Sequence, residues 1–329
     1  MTTQVQEANA FIRESNRKFQ EIRSEISKVI VGQSQLIDGL LIALLADGHV
    51  LLEGLPGLAK TLAVTTFAKV VDCTFKRIQF TPDLLPSDLV GTSIYHSETG
   101  EFSVKKGPLF ANVVLADEIN RAPAKVQSAL LEVMGEKQIT IADETFVSEK
   151  PFIVLATQNP VEQEGTYPLP EAQTDRFMMK IRVNYPNREE EKKILSRMAC
   201  SENRPVAKEI IGRKDILEAR KAANAIYVDE KIIGYILDII FATRYPEGVA
   251  PNIVGLLEYG ASPRASLALT AAAKARAFLD GRSFVTPHDI KSVGLPVLRH
   301  RLRLSYEAEA EEITTDDVIG RIFDTLLVP

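Results

Sequence analysis

Residues 54–61 read Gly54-Leu55-Pro56-Gly57-Leu58-Ala59-Lys60-Thr61, and this stretch decides the fold. Ahead of it, His49-Val50-Leu51-Leu52 predicts a buried strand, and behind it Leu62 to Lys69 reads as a helix. Strand, glycine loop, Lys-Thr and helix form the layout of a phosphate-binding P-loop. Glycines let backbone N–H groups turn inward around phosphate oxygens, and the helix N-terminus adds the positive end of its dipole. Lys60 is then in reach of the β- and γ-phosphates, and the Thr61 hydroxyl suits Mg²⁺. The strict pattern has glycine just before the lysine, where this chain has Ala59. Alanine lacks easy access to positive φ, so the loop is consistent with the pattern if residue 59 needs an ordinary φ. The plain alternative is a tight turn between a strand and a helix.

Two further apolar runs, 112–116 and 152–156, match 49–52 in character and predict parallel strands buried on both faces. Each run ends in polar residues: Glu53 and the glycine loop, Asp117-Glu118, and Thr157-Gln158-Asn159. Ligands of open α/β sheets sit off the carboxyl ends of the strands, so three such ends mark one site. Between them, 93–105 and 138–148 read as hairpins inserted on the core, serving either as plain connections or as partner-binding elements. A helix over 8–28 and a second one opening near Gln33 precede the first strand.

The chain has 329 residues, a length suited to about two domains, and 45% apolar residues, enough for sizeable cores. The boundary is placed at 184–191, Asn-Tyr-Pro-Asn-Arg-Glu-Glu-Glu. This gives an α/β core over 1–187 and a lid over 188–329 that is small and all-helical, with helices at 189–200, 215–226, 230–243, 264–280 and 287–293. Thr286-Pro287 suits a helix cap followed by an N1 proline. The acidic run 307–312 reads as a solvated face. A net charge of −5 argues against a dedicated nucleic-acid binder. Cys73 and Cys200 follow no metal or redox spacing and fit a reducing compartment, and the four histidines show no ligand spacing. The polar N-terminus and the absence of a long apolar run predict a soluble, cytoplasmic protein without a membrane span.

Asp117 and Glu118 at a strand end suit metal support and polarisation of an attacking water, respectively. Asn159 can orient that water or touch the γ-phosphate, and otherwise is a turn residue before Pro160. Arg176, in Asp175-Arg176-Phe177, can stabilise charge on a transferring phosphoryl group or pair with Asp175 or Glu171. Arg264, opening a helix of the second domain, reads equally as a solvated arginine from spacing alone.

Together these residues resemble the AAA+ ATPases, and the MoxR group among them. Gly54–Thr61 is similar to Walker A, 113–118 to Walker B, Asn159 to sensor 1, Arg176 to the arginine finger and Arg264 to sensor 2. The phrases Arg77–Gly91, Gly107–Ala129 and Gly165–Ala172 look like signatures of that group, and the resemblance covers roughly 28–305. It implies an αβα P-loop core with a parallel sheet and a helical lid. It implies ATP held by Gly54, Pro56, Gly57, Leu58, Ala59, Lys60, Thr61, Leu62 and Arg264, and Mg²⁺ held by Thr61 and Asp117. Glu118, Asn159 and Arg176 would carry catalysis. It also implies a homo-oligomeric, usually hexameric ring, and a chaperone-like role in maturing partner proteins or inserting their cofactors, often in partners with von Willebrand A domains. Arg176 is expected to serve a neighbour's nucleotide, and Arg264, from the start of a lid helix, its own. Two other functions share the loop. One is a nucleic-acid motor or loader, whose best support is Arg299-His300-Arg301-Leu302-Arg303; the other is a small-molecule kinase.

Overall fold

The computed structural model describes residues 2–160, 166–198 and 205–329. Helices α1 (Thr2–Val29) and α2 (Ser34–Leu45) lead to strand β1 (Val50–Glu53) and helix α3 (Lys60–Val70). Next come β2 (Phe75–Gln79), the short α4 (Pro86–Val90) and the hairpin β3 (Gly91–His96)–β4 (Glu101–Lys106). β5 (Val113–Asp117) and α5 (Ala124–Glu136) precede a second hairpin, β6 (Gln138–Ile141)–β7 (Glu144–Val147). β8 (Ile153–Gln158), α6 (Glu171–Thr174) and β9 (Met179–Arg182) complete the α/β part. The rest is helical: α7 (Arg188–Met198), α8 (Arg213–Asn224), α9 (Glu230–Arg244), α10 (Pro263–Leu279), α11 (Pro287–Leu298), α12 (Tyr306–Ala310) and α13 (Thr315–Thr325). A small ribbon of β10 (Leu257–Tyr259) and β11 (Arg303–Leu304) interrupts those helices.

The main sheet has the order β2-β5-β8-β1-β9, and every pairing in it is parallel. Side chains alternate across a pleated strand, so each strand feeds two layers. Val50, Leu52, Val113, Leu115, Ile153 and Leu155 join the core formed with α1, α2 and α3. Leu51, Val114, Ala116, Val154 and Ala156 join the core under α5 and the β6–β7 hairpin. The first of these cores runs without a break into the helical region, where the rings of Phe19 on α1 and Phe278 on α10 meet edge to face at 5.6 Å.

β2 and β9 lie at the two edges of the sheet and were absent from the pattern of apolar runs. β2 exposes Lys76, Arg77 and Gln79 while burying Ile78, and β9 buries only alternate residues. A continuous apolar run marks a strand covered on both faces, which an edge strand is not. Helices α12 and α13 were likewise not expected, whereas α11 begins as Thr286-Pro287 predicted. Thr286 donates from N (2.7 Å) and Oγ1 (2.8 Å) to Asp289 Oδ2 in a capping box. Cys200 and Gly165 lie outside the described residues.

The register fixes where everything else must sit. Val50 pairs with Met179 and Glu53 with Arg182, so β1 and β9 run side by side with matched ends. His49, just before β1, is buried at the amino edge. Its Nδ1 accepts from Val154 N at 3.0 Å, and its Nε2 faces the Met134 carbonyl at 3.2 Å. Burial depresses the pKa of this imidazole to about 4, so it is a neutral brace between β1, β8 and α5.

Candidate functional site

The 54–59 loop springs from the carboxyl end of β1 and delivers Lys60 as the first residue of α3. Gly57 adopts φ 83° with open space where a Cβ would be, so backbone can face a ligand there. Ala59, the N-cap of α3, sits at φ 56° and ψ 22°. The condition of an ordinary φ is not met: residue 59 is left-handed, the conformation that glycine takes freely and alanine only with strain. As N-cap, alanine has no side-chain acceptor to offer the first-turn N–H groups, which remain available to an anion.

Lys60 Nζ donates to the Gly54 carbonyl and so lies folded into the loop. Burial lowers its pKa, while the negative charges of Asp117, Glu118 and Glu53 oppose that shift. Thr61 Oγ1 lies 3.4 Å from Asp117 Oδ2, which puts a hydroxyl beside a carboxylate, a donor set that suits a hard divalent cation. Glu118 follows with φ 57°, turning its carboxylate away from the line of β5. Thr157 on the neighbouring strand ties the two acids together: its Oγ1 donates to Asp117 Oδ1 at 2.6 Å and accepts from Glu118 N at 2.8 Å. Asn159, 7% exposed, follows β8, the strand that pairs with β1. A cavity of about 470 Å³ flanks the loop, lined by Leu55, Leu58, Pro160 and Tyr185 with the polar Glu53 and Asn184.

Four partners of these acids were not singled out from sequence. Arg77 donates to Asp117 Oδ2 from Nε (3.0 Å) and Nη2 (2.6 Å), and Gln79 Nε2 donates to Glu118 Oε2 at 2.8 Å. Arg121 Nε lies 3.1 Å from the same Glu118 oxygen, and Thr157 is described above. Arg77 and Gln79, two residues apart on β2, share one face of that strand, so the missed strand explains both omissions. The signal was present in the phrase beginning at Arg77 but carried no geometry.

The two arginines sit elsewhere. Met178 N donates to the His49 carbonyl at 2.9 Å, so residues 175–178 lie at the amino edge of the sheet. The loop lies at the carboxyl edge, beyond the four residues of β1, or roughly 13 Å of strand. Arg176 donates to the Leu131 carbonyl and packs by Gly135, near the negative end of α5. Arg264, with its side chain 58% exposed, has Nη1 3.8 Å from Asp175 Oδ2. The expectation places Arg264 at the nucleotide of its own chain, and the structure places its side chain elsewhere. It stands beside the residue preceding Arg176, across the sheet from Lys60.

The basic cluster at 299–303 is also not a free surface. The Arg301 side chain is 3% exposed and that of Arg299 9%, and both are ion-paired, to Asp175 and Asp316. Arg303 pairs with Glu171 and Glu258. A phosphate backbone needs solvent-facing cations, so the strongest support for a nucleic-acid motor falls away. No helix among the described residues is long and apolar enough to cross a membrane.

Comparison with known proteins agrees with this geometry. Residues 49–179 match the family described as "ATPase family associated with various cellular activities (AAA)", and residues 255–322 match the "AAA lid domain". "Chaperone MoxR1" of Mycobacterium tuberculosis is 52% identical over 306 residues, covering 93% of this chain and 81% of that protein. "Protein MoxR" of Methylorubrum extorquens is 32% identical, covering 93% of each chain. The crystal structure of a Cytophaga hutchinsonii protein assigned as an ATPase superposes with a TM-score of 0.92 at 50% identity, covering 99% of each chain.

Proposed function

The chain belongs to the MoxR family of AAA+ ATPases, and from that premise we propose that it is a Mg²⁺-dependent, ring-forming ATPase whose hydrolytic site is completed between two copies. The observation that carries this reading is the separation of the two halves of the site. Lys60, Thr61, Asp117 and Glu118 lie at one edge of the sheet, and Arg176 and Arg264 at the other.

Lys60 and the first-turn N–H groups of α3 would hold the phosphates of ATP, with Gly54, Pro56, Gly57, Leu58, Ala59 and Leu62 shaping the loop. The flanking cavity, with Leu55 and Tyr185, has the apolar walls that a purine needs. Thr61 and Asp117 would hold Mg²⁺, which when bound neutralises phosphate charge. To serve the ion, Asp117 would have to share or release the bond that its Oδ2 accepts from Arg77. Glu118 then polarises the attacking water, and Asn159 fixes the water's position. Arg176 and Arg264 of the adjacent copy meet the negative charge that develops on the transferred phosphoryl group. Core and lid divide near 187/188, and the coupled output is remodelling of a client protein. The name of the mycobacterial relative supports a chaperone role; maturation or cofactor insertion in partners, including those with von Willebrand A domains, and a hexameric ring in the cytoplasm complete the proposal.

Mixing inactive variants tests it. Arg176→Ala and Arg264→Ala should each be nearly inactive alone. Each should regain ATPase activity when co-assembled with Lys60→Ala, because an intact loop then meets intact arginines from a neighbour. Recovery with Arg176→Ala but not Arg264→Ala would return Arg264 to its own chain's site. Recovery with neither, despite proven co-assembly, refutes a shared site.

A further inference from the structure

The arginine edge contains a buried device that the reaction itself does not use. Arg301, in the turn after α11, inserts its guanidinium under residues 175–178. Nε donates to Asp175 Oδ1 at 2.7 Å, Nη2 to the carbonyls of Asp175 (3.2 Å) and Phe177 (2.7 Å), and Nη1 to the carbonyl of Met178 (2.9 Å) and to that of Val297. His300 Nε2 adds a bond to the same Phe177 carbonyl at 2.9 Å. The carbonyls of Asp175 and Phe177 flank Arg176 on either side. One planar fork therefore holds the backbone before and after that residue.

Asp175 extends the grip to the other arginine. Its Oδ2 accepts from Ser262 Oγ at 2.9 Å, and the same hydroxyl, as the N-cap of α10, accepts from Arg264 N at 3.2 Å. Arg264 Nη1 lies 3.8 Å from that oxygen. Arg301, Asp175 and Ser262 thus join the first residues of α10, the turn after α11 and the segment 175–178 in one network that is buried at Arg301 and half-buried at Asp175 and Ser262.

We infer that Arg301 and Asp175 are positioning residues that present Arg176 and Arg264 together to the neighbouring copy. The inference rests on the shared-site reading above. An arginine at position 301 is required because only a fork of donors can hold several carbonyls and a carboxylate at once; a lysine brings a point charge. A donor pair displaced by about an ångström loses rate on the order of 10²-fold while leaving binding by the loop untouched.

Arg301→Lys is the direct test, and Asp175→Asn, which keeps the shape of the carboxylate and removes its charge, serves if the lysine variant does not fold. Either should lower kcat by about 10- to 100-fold with KM for ATP nearly unchanged. In the nucleotide-free protein, amide hydrogen exchange should speed up at 176–178 and at the start of α10, and stay unchanged at 54–61. Co-assembly with Lys60→Ala should restore activity, because the variant's own loop is intact; co-assembly with Arg176→Ala should not. Wild-type kcat, or exchange that rises equally at the loop, overturns the inference. So does failure of the Lys60→Ala mixture when the Arg176→Ala plus Lys60→Ala mixture recovers, and in that case the shared site itself stands. If neither mixture recovers, both readings fall.

Discussion

At the carboxyl end of β1, functional side chains are held by ion pairs that a ligand must rearrange. Lys60 bonds the carbonyl of Gly54, Arg77 occupies Asp117, and Gln79 and Arg121 hold Glu118. Two residues there, Ala59 and Glu118, take left-handed backbone. At the amino end, Arg176 and Arg264 are presented from a buried scaffold of Arg301, Asp175 and the neutral His49, with every one of the fork's nitrogens bonded. One edge carries side chains paired among themselves around the loop; the other holds a half-buried Arg176 and an exposed Arg264 on a bonded scaffold. The proposed shared site would bring the two edges together from two copies of the chain.

The sharpest way to break this contrast is to injure each edge separately. Lys60→Ala should abolish ATP binding in calorimetry. Arg176→Ala should leave binding intact and lower turnover by about 10³-fold or more, the scale of an arginine supplied to phosphoryl transfer. Glu118→Gln, on the carboxyl edge, should bind ATP and lose on the order of 10²-fold in hydrolysis. An Arg176→Ala protein that no longer binds ATP would mean the two edges are not independent.

The buried brace of the amino edge carries a pH signature. In the unfolded chain His49 gains its proton near 6.5, whereas in the fold burial delays this to about 4. Between those values the unfolded state holds the extra proton, so stability falls as pH falls through that window. From pH 7 to pH 5 the loss is about 2 kcal/mol for this group alone, and the buried His300 adds a loss of the same sign. Urea titrations at the two pH values measure it, and His49→Gln should flatten the slope. An unchanged slope in that variant would assign the acid sensitivity to other groups.

The smallest expected effect lies back in the loop. Ala59→Gly releases left-handed strain of about 1–2 kcal/mol, and the freer unfolded chain takes back about 0.4–1 kcal/mol. Denaturation should show a gain near 0.5–1 kcal/mol. A loss of stability would show that the loop, rather than residue 59, absorbs the strain.

The sequence by itself marked the candidate residues of the carboxyl edge. Gly54–Thr61, Asp117-Glu118 and Asn159 are contiguous with strands whose apolar runs are unmistakable, because those strands are buried on both faces. Helices α8 to α11 were legible for a similar reason: periodic apolar positions and cap residues are local signals. The edge strands β2 and β9 were not, since half-covered strands mix polar and apolar residues, and with β2 went Arg77 and Gln79. The conformation of Ala59 was not legible because φ is set by the loop's closure and not by the residue's preference. The arginine edge belonged wholly to the tertiary structure. Nothing in Arg299-His300-Arg301 distinguishes a buried clamp from an exposed basic patch, because burial comes from α11 turning back over residues 175–178. Arg264 opens its helix as the sequence predicted, yet which nucleotide it can reach depends on parallel pairing of β9 with β1. That pairing puts residues 175–178 at the amino edge before β9 begins, and α10 reaches the same edge through the bond of Ser262 to Asp175, which sets both arginines on the far side of the sheet from the loop.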